Sequence, residues 1–148
     1  TLGYTDAMNE YKLPIKKTEV FYGDRTYQSG FEFGLIFSRI KPSERPTAVF
    51  SITGTMAEGF ADAVIQQGLS IPDDVSLICN DDSSKEYVRK LKITCVEPNI
   101  VAIGAAAAEL FLERIKNPDS QPRRIVYPPV LTENGSVKNL LRQENREN

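Results

Sequence analysis

Histidine is absent from the 148 residues, and cysteine occurs only twice. Without an imidazole there is no commonest general base, no commonest zinc ligand and no Ser-His or Cys-His nucleophile. Carboxylate and lysine chemistry stay open, but the case for an enzyme is weakened, and neither a metal nor a cofactor is expected. Also missing is any apolar stretch long enough to span a bilayer, and the opening residues do not read as a signal peptide. A soluble, cytoplasmic protein without membrane attachment is therefore expected. Basic clusters are lacking too: 18 basic and 20 acidic side chains are scattered and leave a formal net charge of -2. No stripe follows the pattern that tracks a phosphate backbone, so these residues alone are not expected to bind nucleic acid tightly. Cys79 and Cys95 sit in apolar runs that read as strands. Two reduced core thiols are expected, since a disulfide would need an oxidising compartment.

What is present fits one ordinary globular domain, with 41% hydrophobic and 26% charged residues. The chain opens on Thr1-Leu2-Gly3-Tyr4, with no initiator methionine and directly in a helical pattern, as a piece of something larger would. Residues 1–11 read as a helix closed by Leu13-Pro14. Val20-Phe21-Tyr22 reads as a short strand. Phe33, Ile36, Phe37 and Ile40 fall at helical spacing and predict a helix over 27–40. The apolar run 48–52 predicts a buried parallel strand. Thr55 and Glu58 form a capping-box pair opening a helix that ends at Gly68. Strands are predicted over 75–79 and 92–96. A long helix over 101–116 would bury Val101, Ala105, Ala108, Leu112 and Ile115. Arg124 to Tyr127 and Val130-Leu131 read as short strands split by Pro128-Pro129. The alternation means βαβ units: an α/β fold with a parallel sheet and helices on both faces. In such sheets ligands bind beyond the carboxyl ends of the strands. Those ends carry Gly23-Asp24-Arg25, Thr53-Gly54, Asn80-Asp81-Asp82 and Glu97-Pro98.

The order of several motifs resembles the core of LacI/GalR-type transcription regulators. They are Gly3-Tyr4, Gly23-Asp24 through Ser29-Gly30, Arg45-Pro46-Thr47-Ala48-Val49-Phe50, Met56-Ala57-Glu58-Gly59, and the run from Gly68-Leu69-Ser70 through Ile71-Pro72-Asp73-Asp74-Val75-Ser76. Asp81-Asp82, Ile93-Thr94-Cys95-Val96 and Gly104-Ala105-Ala106 follow in the same order. The resemblance covers about residues 1–137. The turn at 71–76 is its most specific element, although turn chemistry alone explains that turn: Gly68 ends a helix, Pro72 stiffens the connection, and Asp73 and Asp74 bond local amides.

The resemblance implies a periplasmic-binding-protein type I-like fold, two α/β subdomains with a small ligand between them. On that map residues 1–96 form the C-terminal subdomain and 97–128 contribute to the N-terminal subdomain. Residues 129–137 return, and 138–148 are a polar tail. It also implies a homodimer and a DNA-binding helix-turn-helix headpiece that lies outside these residues. Asp81 matches the aspartate that accepts hydrogen bonds from ligand hydroxyls, a task suited to a charged acceptor. Capping of the following loop is the competing role for Asp81 and Asp82. The family usually places Asn-Asp where Thr53-Gly54 stands, so one carboxylate is lost and Thr53 keeps only a hydroxyl. Asn80 adds an amide near the pocket, and Asp24 lies at another strand end. Arg25 stands where an aromatic is common and suits an anionic group on the effector or a solvated surface equally. Asn134 replaces an arginine usual near the C-terminus, which puts one hinge or interface contact in doubt.

Family dimers imply an interface through Glu58, Ala61, Asp62, Lys85, Val88 and Arg89; a solvated face is the competing reading. The implied function is sensing of a small-molecule effector, a sugar or related metabolite, that shifts DNA affinity. An exported solute-binding protein of the same fold is the alternative. An enzyme ranks third, because Asp81-Asp82 has no accompanying nucleophile or base.

Overall fold

The computed structural model describes residues 2–15, 20–80 and 86–140. Five helices and four strands follow one another as α1 (Leu2–Glu10), α2 (Tyr27–Ser38), β1 (Ala48–Ser51), α3 (Gly54–Gln66), β2 (Ser76–Asn80), α4 (Glu86–Leu91), β3 (Thr94–Glu97), α5 (Ile100–Lys116) and β4 (Val130–Thr132). The strands form one sheet in the order β1-β2-β3-β4. β1, β2 and β3 are parallel, as the βαβ pattern requires, whereas β4 runs antiparallel to β3. The parallel sheet read from the sequence is therefore correct for three strands and closed by an antiparallel fourth.

Among the described residues, the helices packed on the sheet cover one face. α2 packs broadly on α3, and α3 rests on β1 and β2. The core under them joins Phe37, Phe60, Val64, Val75, Leu77, Cys79, Val88, Ile93 and Cys95. Side chains alternate across a strand, so Leu77 and Cys79 face this core while Ile78 and Asn80 face away. The away-facing side keeps Phe50 54% and Leu131 56% exposed. Helices on both faces were expected, but among the described residues the second face carries none in broad contact. α2 and α3 approach closely because glycines line their seam. A side chain at Gly30 would collide with the Met56 carbonyl, and one at Gly59 with the Tyr27 carbonyl. Phe60 stacks on Phe33 at 5.4 Å and meets Phe37 edge-on at 5.2 Å, which adds directional ring contacts to the burial. Arg45 closes the far end of α2, donating to the carbonyls of Ser38 (3.1 Å) and Ile40 (2.8 Å).

Several boundaries differ from expectation for local reasons. Val20-Phe21-Tyr22 is irregular rather than a strand; Phe21 instead stacks on Phe33 at 4.7 Å. α3 is capped by Thr53, whose hydroxyl accepts from the Met56 amide, so Thr55 lies inside the first turn and is not the cap. Gly68 does end α3 in the left-handed region, at φ +82. Asp74 accepts from the amide (2.7 Å) and hydroxyl (2.8 Å) of Ser70, the local bonding read from the turn. α4 went unread, since six residues are too few to show a helical period.

α5 departs most. Asn99 caps it by accepting from the Ala102 amide at 3.1 Å. Of the stripe expected to be buried, Val101 is 79%, Leu112 56% and Ile115 61% exposed. Only Ala106 of this helix is buried. Arg124 to Tyr127, read as a strand, is irregular, and it flanks a groove lined by Ile103, Ala106 and Leu110 of α5.

Candidate functional site: the carboxyl rim of the parallel strands

The segment before α2 and the start of α3 lie against each other at the rim. A side chain on Gly23 would strike the Ser29 hydroxyl and the Met56 methyl group, which shows how closely they meet. Asp24 then turns the chain: its Oδ1 accepts from the Thr26 hydroxyl (2.6 Å) and amide (3.2 Å). Those bonds, the hydroxyl first, hold the Asp24 carboxyl below its usual range. Arg25 follows at φ 67, a left-handed conformation uncommon outside glycine. The exposed Arg25 leads to Thr26, which caps α2 by accepting from the Ser29 amide at 3.1 Å.

At the end of β1, the Ser51 hydroxyl donates to the Thr53 carbonyl at 2.7 Å and fixes the strand-to-helix turn. Thr53 Oγ1 accepts from the Met56 amide at 3.3 Å. Its hydroxyl hydrogen is left to donate elsewhere. The parallel register pairs Ser51 with Cys79, so the exposed Asn80, one step on, stands beside the turn at 52–53. The N-termini of α2 and α3 thus open on the same rim as Asp24, Thr53 and Asn80. The dipoles of these two helix starts favour electron-rich groups there. The rim is open rather than enclosed. Among the described residues no cluster of potential metal ligands exists.

Asp81, expected to be the principal acceptor, lies outside the described residues together with Asp82 and Lys85. Of the residues expected at a dimer interface, Ala61 and Val88 are corrected. Both are 0% exposed within the core, so they present no surface to a partner. Their interface role was implied by the family resemblance, with a solvated face as the competing reading, and packing with the sheet buries both instead. Asp62 is half-buried and accepts from the Tyr27 hydroxyl at 2.8 Å. That bond to Asp62, with some burial, raises the Tyr27 hydroxyl above its ordinary value. Glu58 is half-buried and Arg89 exposed.

The return segment after β4 does work that the sequence did not reveal. Asn134 donates its side-chain amide to the Ile93 carbonyl at 2.9 Å and its backbone amide to Thr94 Oγ1 at 3.3 Å. Ser136, only 2% exposed, accepts from the Thr94 amide at 2.7 Å and donates to the Leu77 carbonyl. In sequence this stretch shows only Asn134 standing where the family usually has an arginine. Its true role depends on partners 41 and 59 residues away.

Residues 1–137 match the family described as "Periplasmic binding protein-like domain". The chain belongs to that family. Its curated relatives are LacI-type regulators, as the motif order indicated. It is 32% identical over 140 residues to the HTH-type transcriptional repressor PurR of Actinobacillus pleuropneumoniae serotype 3. It is 34% identical over 139 residues to the ribose operon repressor of Haemophilus influenzae. Each alignment covers 93% of this chain and 41% of the relative, so the chain spans well under half the length of these regulators. A LacI-family regulatory protein from Chloroflexus aggregans superposes with a TM-score of 0.82 at 28% identity, covering 92% of this chain and 48% of that one. No helix among the described residues is long and apolar enough to cross a membrane.

Proposed function

We propose that the chain is the C-terminal part of the effector-binding and dimerisation core of a LacI/GalR-type DNA-binding regulator. The observation that carries this reading is the rim itself: three parallel strand ends and the N-termini of α2 and α3 meet where Asp24, Thr53 and Asn80 stand. Family membership supplies the context. On this reading residues 1–96 belong to the C-terminal subdomain, 97–128 to the N-terminal subdomain and 129–137 return, with 138–148 as a tail. Two features support that division. α5 leaves an apolar surface uncovered, and Ser136 stitches the return segment to β2 and β3.

The effector is a small molecule rich in hydroxyl or carbonyl oxygens, held by Asp81 as carboxylate acceptor, Thr53 and Asn80 as neutral partners, and Asp24 and Arg25 at the flank. The protein acts without catalysis, in the cytoplasm and as a homodimer, with Glu58, Asp62 and Arg89 on the surface available for pairing. Ligand closes the cleft, and the change in subdomain angle alters the affinity of a helix-turn-helix headpiece for DNA. The two named relatives regulate differently named systems, so the effector follows from the rim residues rather than from either relative.

Calorimetric titration of the full-length protein against pentoses, hexoses, disaccharides and purine bases tests this. For the ligand that binds, Asp81→Ala, Thr53→Val and Asn80→Ala are each expected to weaken affinity about 5- to 100-fold, the cost of about 1–3 kcal/mol for an unmet polar partner. Unchanged affinity in all three variants sinks the assignment of the rim as the effector site.

A further inference from the structure

Two thiols face each other in the middle of the sheet, and the sensing reading gives them no task. Cys79 of β2 and Cys95 of β3 are register partners. Their sulfurs lie 3.4 Å apart, and both side chains are fully buried and not joined by a disulfide. The Cys95 thiol is also in reach of the Ile93 carbonyl as a donor, at 3.4 Å. A hydrogen given to that carbonyl leaves the lone pairs of Cys95 towards Cys79. Adjacent strands are about 4.8 Å apart, inside the span of about 4.4–6.8 Å that a disulfide bridges between α-carbons. Closing the bond therefore needs a sulfur shift within the sheet rather than a rearrangement of strands.

We propose that Cys79 and Cys95 form a reversible intrachain disulfide in response to a hydroperoxide. One thiol, as its thiolate, attacks the terminal peroxide oxygen, breaking the O–O bond and giving a sulfenic acid and an alkoxide (hydroxide from hydrogen peroxide), which takes up a proton and leaves as the alcohol or water. The second sulfur displaces water from that sulfenic acid and the S–S bond forms. In total the two thiols lose two protons and two electrons, and one hydroperoxide is reduced to water and an alcohol, or to two waters for hydrogen peroxide. A dithiol reductant reverses the change. Burial under α3 restricts attack to moments of local opening. Each sulfur that is oxidised finds its resolving partner already in contact, so the second step outruns further oxidation. In a reducing compartment such a bond is transient and serves sensing rather than structure.

The location gives the bond a consequence. Cys79 directly precedes Asn80 at the rim, and β3 leads from the sheet towards α5. A bond between them ties the rim-bearing strand to the strand that departs. This coupling to the effector site rests on the sensing reading; the disulfide itself does not.

The test treats native full-length protein with a small excess of hydrogen peroxide, alkylates remaining thiols on denaturation, and maps peptides by mass. A peptide pair joining Cys79 to Cys95 is expected, lighter by the two thiol hydrogens and released by dithiothreitol. Cys79→Ser and Cys95→Ser should each abolish the pair and leave the remaining thiol alkylated or oxygenated. Two thiols that stay fully alkylatable, or cross-links found only between molecules, overturn the proposal. The readout needs no effector, so it fails or succeeds independently of the rim assignment.

Discussion

Eight of the thirteen residues of α3 are buried, against one of the seventeen of α5, although both helices carry alanine and aliphatic residues at helical spacing. α3 has a glycine seam against α2 on one side and the strands β1 and β2 on the other. Among the described residues α5 has the irregular stretch 120–127 beside it. Amphipathic pattern states which face of a helix must be covered. It does not state what covers it. α5 leaves Phe111 65%, Leu112 56% and Ile115 61% exposed, neighbours within two turns of one helix.

The contrast can be broken at its strongest point first. Phe60→Ala removes the ring between Phe33 and Phe37 and should lower unfolding free energy in urea by about 3–5 kcal/mol. A loss below about 1 kcal/mol would mean that the α2–α3 seam is not the main core. Next, Leu112→Ser in the full-length protein should cost about 2 kcal/mol, as for a buried leucine. A surface-like change within about 0.5 kcal/mol would show that α5 stays uncovered. Ser136→Ala leaves the buried Thr94 amide and Leu77 carbonyl without a partner, and a loss of about 1–2 kcal/mol in the same assay is expected. A value near zero would mean that the return segment does not hold the sheet.

The smallest effect is acidic. Asp74 is held below its ordinary pKa of 3.8 by the Ser70 amide and hydroxyl, and Asp24 by the Thr26 hydroxyl and amide. Because each folded value is depressed, the stabilisation is complete above the ordinary value and disappears as pH falls through the folded one. The urea midpoint should therefore drop on acidification below about pH 4, and Asp74→Asn should flatten part of that fall. A midpoint that drops identically in the variant would remove Asp74 as a contributor.

Much of the fold was legible because its signals are local. The spacing of Phe33 and Phe37, the apolar run at β1 and the left-handed Gly68 each act within a few residues. Of the candidate site, the strand-end positions of Thr53 and Asn80 were legible, whereas Asp24 follows an irregular segment and not the strand read at 20–22. Other features were not local. Thr53 rather than Thr55 caps α3, two residues earlier, where the Ser51 hydroxyl bonds the Thr53 carbonyl. Ala61 and Val88 became core because α3 and α4 turn those faces inward.

The amino-acid order by itself determined the βαβ rhythm, the turn chemistry and the family, all of which rest on periodicity and on short-range steric and hydrogen-bonding preferences. Only the tertiary structure decided which apolar faces are covered, that β4 runs antiparallel, and that Ser136 and Asn134 secure β2 and β3. It also brought Cys79 and Cys95 to 3.4 Å. These outcomes depend on contacts between residues far apart in the chain, where no spacing rule operates and packing alone selects the partner.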